Sequence, residues 1–221
     1  MTTYPTPIAV VSGDLVGSTK IALPDIDQVF LSLAAFVGEQ TWLGANFTRQ
    51  SGDGWQLVVL HPEHALRSAL AVRAKLMSLR SGLDTYISIS VGMIETAPPD
   101  DLNHTNHPLF VASGRELEIL KNRASKDGIK LAHWDMGAEA SVGVLLDEIS
   151  KGWTSAQAEA VLLYLNPYSD ELSYSDAAAR LGKSRQTVTK SLKAAGKDAV
   201  IKALAFLEAD LAAKYAEHDH A

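Results

Sequence analysis

The chain has 221 residues, 47% of them hydrophobic and 21% charged, with a formal net charge of −6. That size and balance suit a globular protein of one ordinary domain plus a small second one, and exclude a protein coated in basic surface. The absence of cysteine excludes disulfides, thiolate zinc sites and a cysteine nucleophile, and fits a reducing, cytoplasmic setting.

The N-terminal stretch MTTYPTPIAV has no basic region followed by a long apolar run, so no signal peptide is expected. No apolar run approaches the ~18 residues that span a bilayer, so no membrane partner is expected. IAVVSGD then reads as a buried strand. DIDQVFLSLAAFVGEQ reads as an amphipathic helix with Val29, Phe30, Leu33 and Phe36 on one side. ANFTRQSGDGWQLVVLH reads as a hairpin around a Gly-Asp-Gly turn.

PEHALRSALAVRAKLMSLR follows as a helix with proline near its start. DTYISISVGMIE alternates with a period of two and is a strand. TAPPDDLNHTNHP is a polar, proline-rich loop in which His104 and His107 read as solvated side chains. LFVASGRELEILKNRAS is a helix interrupted by one glycine, and DGIKLAHW a short closing strand. The order β-α-β-β-α-β-α-β contains a βαββαβ portion. That portion predicts a ferredoxin-like sheet with helices on one face.

Beyond Trp134 the pattern is helical throughout. GAEASVGVLLDEISKG reads as a helical linker, TSAQAEAVLLYLN as a Thr-capped helix, and SYSDAAARLG as a short helix ending in Gly182. SRQTVTKSLKAAG starts at Ser184, and KDAVIKALAFLEADLAAKYA is amphipathic, with a polar tail EHDHA after it. The expected organisation is an α+β domain over 1–135, a linker over 136–151 and an all-α domain over 152–221.

Charge is unevenly spread. Residues 1–150 carry 17 acidic and 11 basic side chains, whereas residues 151–221 carry nine of each. Arg180, Lys183, Arg185, Lys190, Lys193 and Lys197 follow one another with no acid between them. A local basic stripe in an acidic protein points to a polyanion. SYSDAAARLGKSRQTVTKSLKAA also has the spacing of a DNA-binding helix-turn-helix. Ala178 sits at the helix crossing, Gly182 permits the left-handed turn, and Val188 and Leu192 point inward. That leaves Arg185, Gln186, Thr187, Thr189, Lys190 and Lys193 facing outward, with Ser184 as the cap. Arg and Gln can read guanine and adenine edges, and Lys and Thr suit phosphates. The partner implied is double-stranded DNA. A three-helix bundle with a solvated basic face is the competing reading.

Two acidic turns raise a second question. GDLVGSTK follows the first strand, and SGDGW divides the hairpin. Two carboxylates about 4 Å apart repel by about 4 kcal/mol at an effective dielectric near 20. A fold that aims Asp14 and Asp53 at one point therefore wants a cation between them. Oxygen ligands alone suggest magnesium or manganese. The backbone of Val16, Gly17, Ser18 and Thr19 can serve as a phosphate cradle. Each aspartate also has an ordinary role open to it, Asp14 as a helix cap and Asp53 as a turn residue.

GDLVGST resembles the first signature of class III nucleotide cyclases, RQSGDGWQLVV their second, and ISVGMIE the strand that follows. The resemblance implies that Asp14 and Asp53 hold metals on a triphosphate and that Arg49 sits at the base-reading position. Arg115, in PLFVASGR, matches the family's arginine; it is the one catalytic candidate if the chain is an enzyme, and pairing with Glu116 or Glu118 is its other option. Val111 stands where that family has its ribose-orienting asparagine, and His104 falls near its base-reading aspartate. Loss of the asparagine weakens cyclisation more than binding.

The whole of residues 7–210, including GWTSAQAEAVLLYL and AAARLGKSRQTV, resembles the SatD family. Together the resemblances imply a cytoplasmic, dimeric transcriptional regulator with a nucleotide-sensing head. The alternative is a metal-dependent nucleotide cyclase or nucleotidyl transferase carrying a DNA-binding tail. A dimer would build the head site from the aspartates of one chain and Arg115 of its twin. It would also present two reading helices about 34 Å apart.

Overall fold

The computed structural model describes residues 5–40, 42–43, 46–135, 137–167 and 172–218; the end of the polar tail lies outside them. The first part runs β1 (Thr6–Leu15), α1 (Leu23–Glu39), β2 (Asn46–Arg49), β3 (Gly54–Val59), α2 (Ala65–Leu79), β4 (Thr85–Ile94), α3 (Pro108–Asp127) and β5 (Leu131–His133). The second part is helical: α4 (Ala138–Ser150), α5 (Ser155–Leu165), α6 (Tyr174–Leu181), α7 (Arg185–Ala194) and α8 (Lys197–His218). The chain is thus a mixed α and β protein. Among the described residues, no helix is long and apolar enough to cross a membrane.

The sheet order is β2-β3-β1-β4-β5. β1 lies between β3 and β4, antiparallel to both, and β5 adds parallel to β4. Ile8, Ala9, Val10 and Val11 are all fully buried. A continuous apolar run is what a strand covered on both faces requires. Ala9, Val11 and Leu15 join the core beneath α1 and α2, while Ile8 and Val10 join a smaller cluster with Phe110 of α3. α1 and α2 therefore share one face, as expected, and α3 covers the other.

Local sequence explains most boundaries. α1 carries proline in its first turn and buries Ile26, Phe30, Leu33, Phe36 and Val37. The inward seam leads with Ile26, and Val29 is only partly covered. α3 runs unbroken through Gly114, where an added Cβ would meet open space; a helix tolerates such a glycine at a cost of about 1 kcal/mol. α5 begins with a complete capping box between Thr154 and Gln157.

α2 is buried nearly all round. It lies between the sheet and α5, so it has no solvent face to fill with charge. Its two arginines are consequently paired inside the protein. Arg73 donates to Asp84 at 2.8 and 3.1 Å, to Asp147 at 2.6 Å and to Ser150 at 2.9 Å. Burial works against the Asp84 carboxylate, but Arg73 and Lys130 outweigh it and hold the pKa below the usual range. Asp147 belongs to α4. That segment, expected as a linker, is instead packed on β5 and α2 with Leu146 and Asp147 buried.

One hydrophobic cluster runs from Val11 and Leu57 in the sheet, through Leu70 of α2 and Val161 of α5, to Val188, Leu192 and Leu204. The two expected parts share this core. Trp153 reinforces the join, donating from its indole to the Ala195 carbonyl at 2.9 Å.

Candidate functional site

The first candidate lies where β1 ends. The β1–β3 register sets Asp14 opposite Gly54, and the Leu15 amide donates to the Asp53 carbonyl at 3.3 Å. The two acidic turns are therefore brought side by side. Asp14 points to the α3 face, where Lys121 Nζ lies 3.1 Å from its Oδ2. Burial is the largest influence on Asp14 and raises its pKa; Lys121 opposes this, while Asp53 and Glu118 push it up further. Lys121 also holds Glu118 at 3.0 Å. Despite burial, these two acids raise the Lys121 pKa. Lys121 thus sets an ammonium directly beside Asp14.

The glycine next to Asp14 has a packing role. A Cβ on Gly13 would stand 2.2 Å from the Trp55 ring, so the tryptophan of the second turn lies directly over the glycine of the first. The Trp55 indole donates to Thr85 Oγ1 at 3.1 Å, and that hydroxyl donates to the Asp14 carbonyl at 3.0 Å. After Asp14, Val16 donates its amide to the Asp84 carbonyl at 2.9 Å. Gly17 takes the left-handed conformation at φ 65°, and Ser18, Thr19 and Lys20 form one short turn. The expected phosphate cradle is therefore a three-residue turn.

The other expected head residues are distributed differently. Arg49 pairs with Trp55 in register, on the α1 side of the sheet and opposite Asp14. It donates to Asp27 at 2.7 Å and to the Gly52 carbonyl at 3.0 and 2.9 Å, and its guanidinium stacks 4.6 Å from the Phe30 ring centre. Arg115 is exposed on α3 and, among the described residues, makes no ion pair. Its two expected partners are engaged elsewhere, Glu116 with Ser90 and Glu118 with Lys121. Six helical residues, about 9 Å of rise, separate Arg115 from Lys121.

Between the hairpin and α3 the sheet carries an uncharged polar row. Gln50 donates to Gln56 at 2.8 Å, Gln56 to Ser12 at 3.0 Å, and Ser12 meets Ser113 at 2.7 Å. A cavity of about 270 Å³ opens above it, lined by Gln50, Gln56, Asn103, Phe110, Val111 and Gly114. His104 is outside this lining, exposed and 3.8 Å from Asp101. Sequence reasoning missed Lys121 and this row. The spacing of Phe110, Ser113, Leu117 and Leu120 along α3 was the available signal, since it sets Lys121 at the margin of the buried seam.

The second candidate is the α6–α7 pair. Ser173 caps α6 and Ser184 caps α7, each accepting from the backbone three residues on, at 3.2 and 3.1 Å. Between them Gly182 is left-handed at φ 60°, and Lys183 returns its amide to the Ala178 carbonyl at 3.0 Å. Ala177, Ala178, Val188 and Leu192 are buried where these helices meet α5.

Outward, Arg185, Gln186, Thr187, Lys190 and Lys193 are exposed and Thr189 is half-buried. Not all of these groups are equally available. Lys183 is bound to Glu159 of α5, Thr187 Oγ1 lies 2.8 Å from Ser184 Oγ, and Thr189 Oγ1 donates to the Arg185 carbonyl at 2.8 Å. The long side chains of Arg185, Gln186, Lys190 and Lys193 make up the outward chemistry of α7.

Among the described residues, no group of three or more histidine or acidic side chains is arranged to hold a metal ion. Comparison with protein-family profiles, with curated proteins and with solved structures finds no match to this chain.

Proposed function

We propose that the protein is a DNA-binding transcriptional regulator, a ferredoxin-like sheet domain fused to a helix-turn-helix that reads duplex DNA through α7. The observation that carries this reading is the outward face of α7. Three cations and a carboxamide are exposed on a short helix whose opposite side is buried and whose start is capped. In this reading Arg185 and Gln186, in the first turn, meet base edges, and Lys190 and Lys193 meet phosphates. Lys183 is spent on Glu159 and contributes little.

Fluorescence anisotropy with a labelled duplex of random sequence tests this. Binding should weaken linearly in log salt, and Lys190→Ala with Lys193→Ala should flatten the slope by about 2. No binding at low salt, or an unchanged slope, would sink the reading.

A second reading treats Asp14 and Asp53 as a nucleotide site using magnesium or manganese, with Arg115 as an anion contact. The convergence of the two turns and the raised pKa of Asp14 favour it. The donor set does not fit a metal as arranged: two carboxylates are present, and one is already neutralised by Lys121. Calorimetry with each common nucleoside triphosphate and manganese tests the reading, with Lys121→Ala expected to strengthen the heat and Asp53→Ala to abolish it. Silence with every nucleotide leaves the sheet domain a scaffold.

A further inference from the structure

α8 has two faces of different character. Val200, Leu204, Leu207, Glu208 and Leu211 are buried against the body of the protein. The outer side presents Lys202, Phe206 and Asp210, all exposed, with Phe206 showing 68% of its surface. A single exposed aromatic is unremarkable in itself. What singles this one out is its setting. Lys202 stands four residues before Phe206 and Asp210 four after, so the three share one ridge.

We propose that the outer face of α8 is a two-fold homodimer interface centred on Phe206. The argument is charge complementarity. A two-fold axis at Phe206 runs the helices in opposite directions and sets residue 206−n of one chain against 206+n of the other. Lys202 then meets the partner's Asp210, and Asp210 meets the partner's Lys202. A parallel pairing would set lysine against lysine and aspartate against aspartate. The row is thus complementary to a reversed copy of itself, which is the property an isologous contact requires.

Other features agree with this geometry. The residues three before and three after Phe206 are both alanine, Ala203 and Ala209, so only small side chains flank the ring at that spacing. Lys202 Nζ lies 5.6 Å from its own Phe206 ring centre, within reach of that ring's surroundings. A second copy of this chain therefore satisfies both the apolar and the charged parts of the face.

Sedimentation velocity on the full chain, without DNA, tests the proposal. The wild type should form a dimer at about 100 µM, and Phe206→Asp should leave a monomer with an unchanged melting curve. Lys202→Asp and Asp210→Lys should each weaken the dimer by about tenfold, and the double exchange should restore it. A monomeric wild type would overturn the proposal, as would a dimer indifferent to Phe206→Asp, or a double exchange that recovers nothing. None of these outcomes depends on whether α7 binds DNA.

Discussion

Arg67 of α2 and Glu208 of α8 are joined by two hydrogen bonds, Nε to Oε1 at 2.5 Å and Nη2 to Oε2 at 2.6 Å. Arg67 also reaches the Leu165 carbonyl at 3.4 Å, and His64 Nδ1 lies 3.2 Å from the same carboxylate. This clamp fastens the end of the helical part to the helix beneath the sheet. Removing one partner strands a buried charge. Glu208→Ala should cost about 3–5 kcal/mol in urea unfolding, and Arg67→Met with Glu208→Leu should recover much of it.

The same clamp makes stability fall in acid. Burial acts to raise the Glu208 pKa, but hydrogen bonds and charge from His64 and Arg67 prevail and lower it. A carboxylate lowered on folding stabilises the native state above its unfolded value, about 4.3, and loses that contribution as pH falls through the folded value. Glu208→Gln should shrink this acid limb in melting curves taken across the range.

His133 of β5 predicts a second pH effect at milder acidity. Burial is the main cause lowering its pKa; Asp135 and Glu139 oppose, and Lys214 adds to the lowering. A base lowered on folding is held neutral, so the native state binds fewer protons than the unfolded chain. Stability should therefore drop as pH falls below about 6.5, and His133→Gln should remove that drop. A melting temperature flat between about pH 7 and 5 in the wild type would contradict this.

Gly13→Ala should destabilise the protein although the change is one methyl group. The new Cβ has no room beneath the Trp55 ring, and overpacking of this kind costs about 1–3 kcal/mol or more. Tryptophan fluorescence should shift with it. An unchanged melting temperature would mean that Trp55 can move aside freely.

Asp14→Asn should raise the melting temperature at neutral pH. The folded protein raises the Asp14 pKa, mainly by burial, so the ionised form is disfavoured on folding even with Lys121 beside it. The difference between variant and wild type should be largest near pH 7 and vanish as pH falls below about 4, where both states hold a neutral side chain.

Much of this organisation was legible in the residues. Periodicity placed the helices and strands, and end signals placed several boundaries: Ser184 before α7, Thr154 at α5, and Gly182 in the turn between α6 and α7. The adjacency of the two acidic turns followed from two paired strands that end in them. Arg49 was not legible, because its face depends on pairing with Trp55, and one step of register would reverse it. Nor was the Lys121 contact, which needs the packing of α3 across β1. Nor were the ion pairs of Arg67 and Arg73, which lie in a stretch legible only as a helix. Their partners come from distant elements that sequence does not bring together: Asp84, and Asp147 of α4, for Arg73, and Glu208 of α8 for Arg67.

The continuity of the hydrophobic interior has a mechanical consequence. Because Val161, Val188 and Leu204 pack into the same cluster as Leu57 and Leu70, the chain cannot be severed near residue 152 into two portable modules. Each half would expose the other's footing.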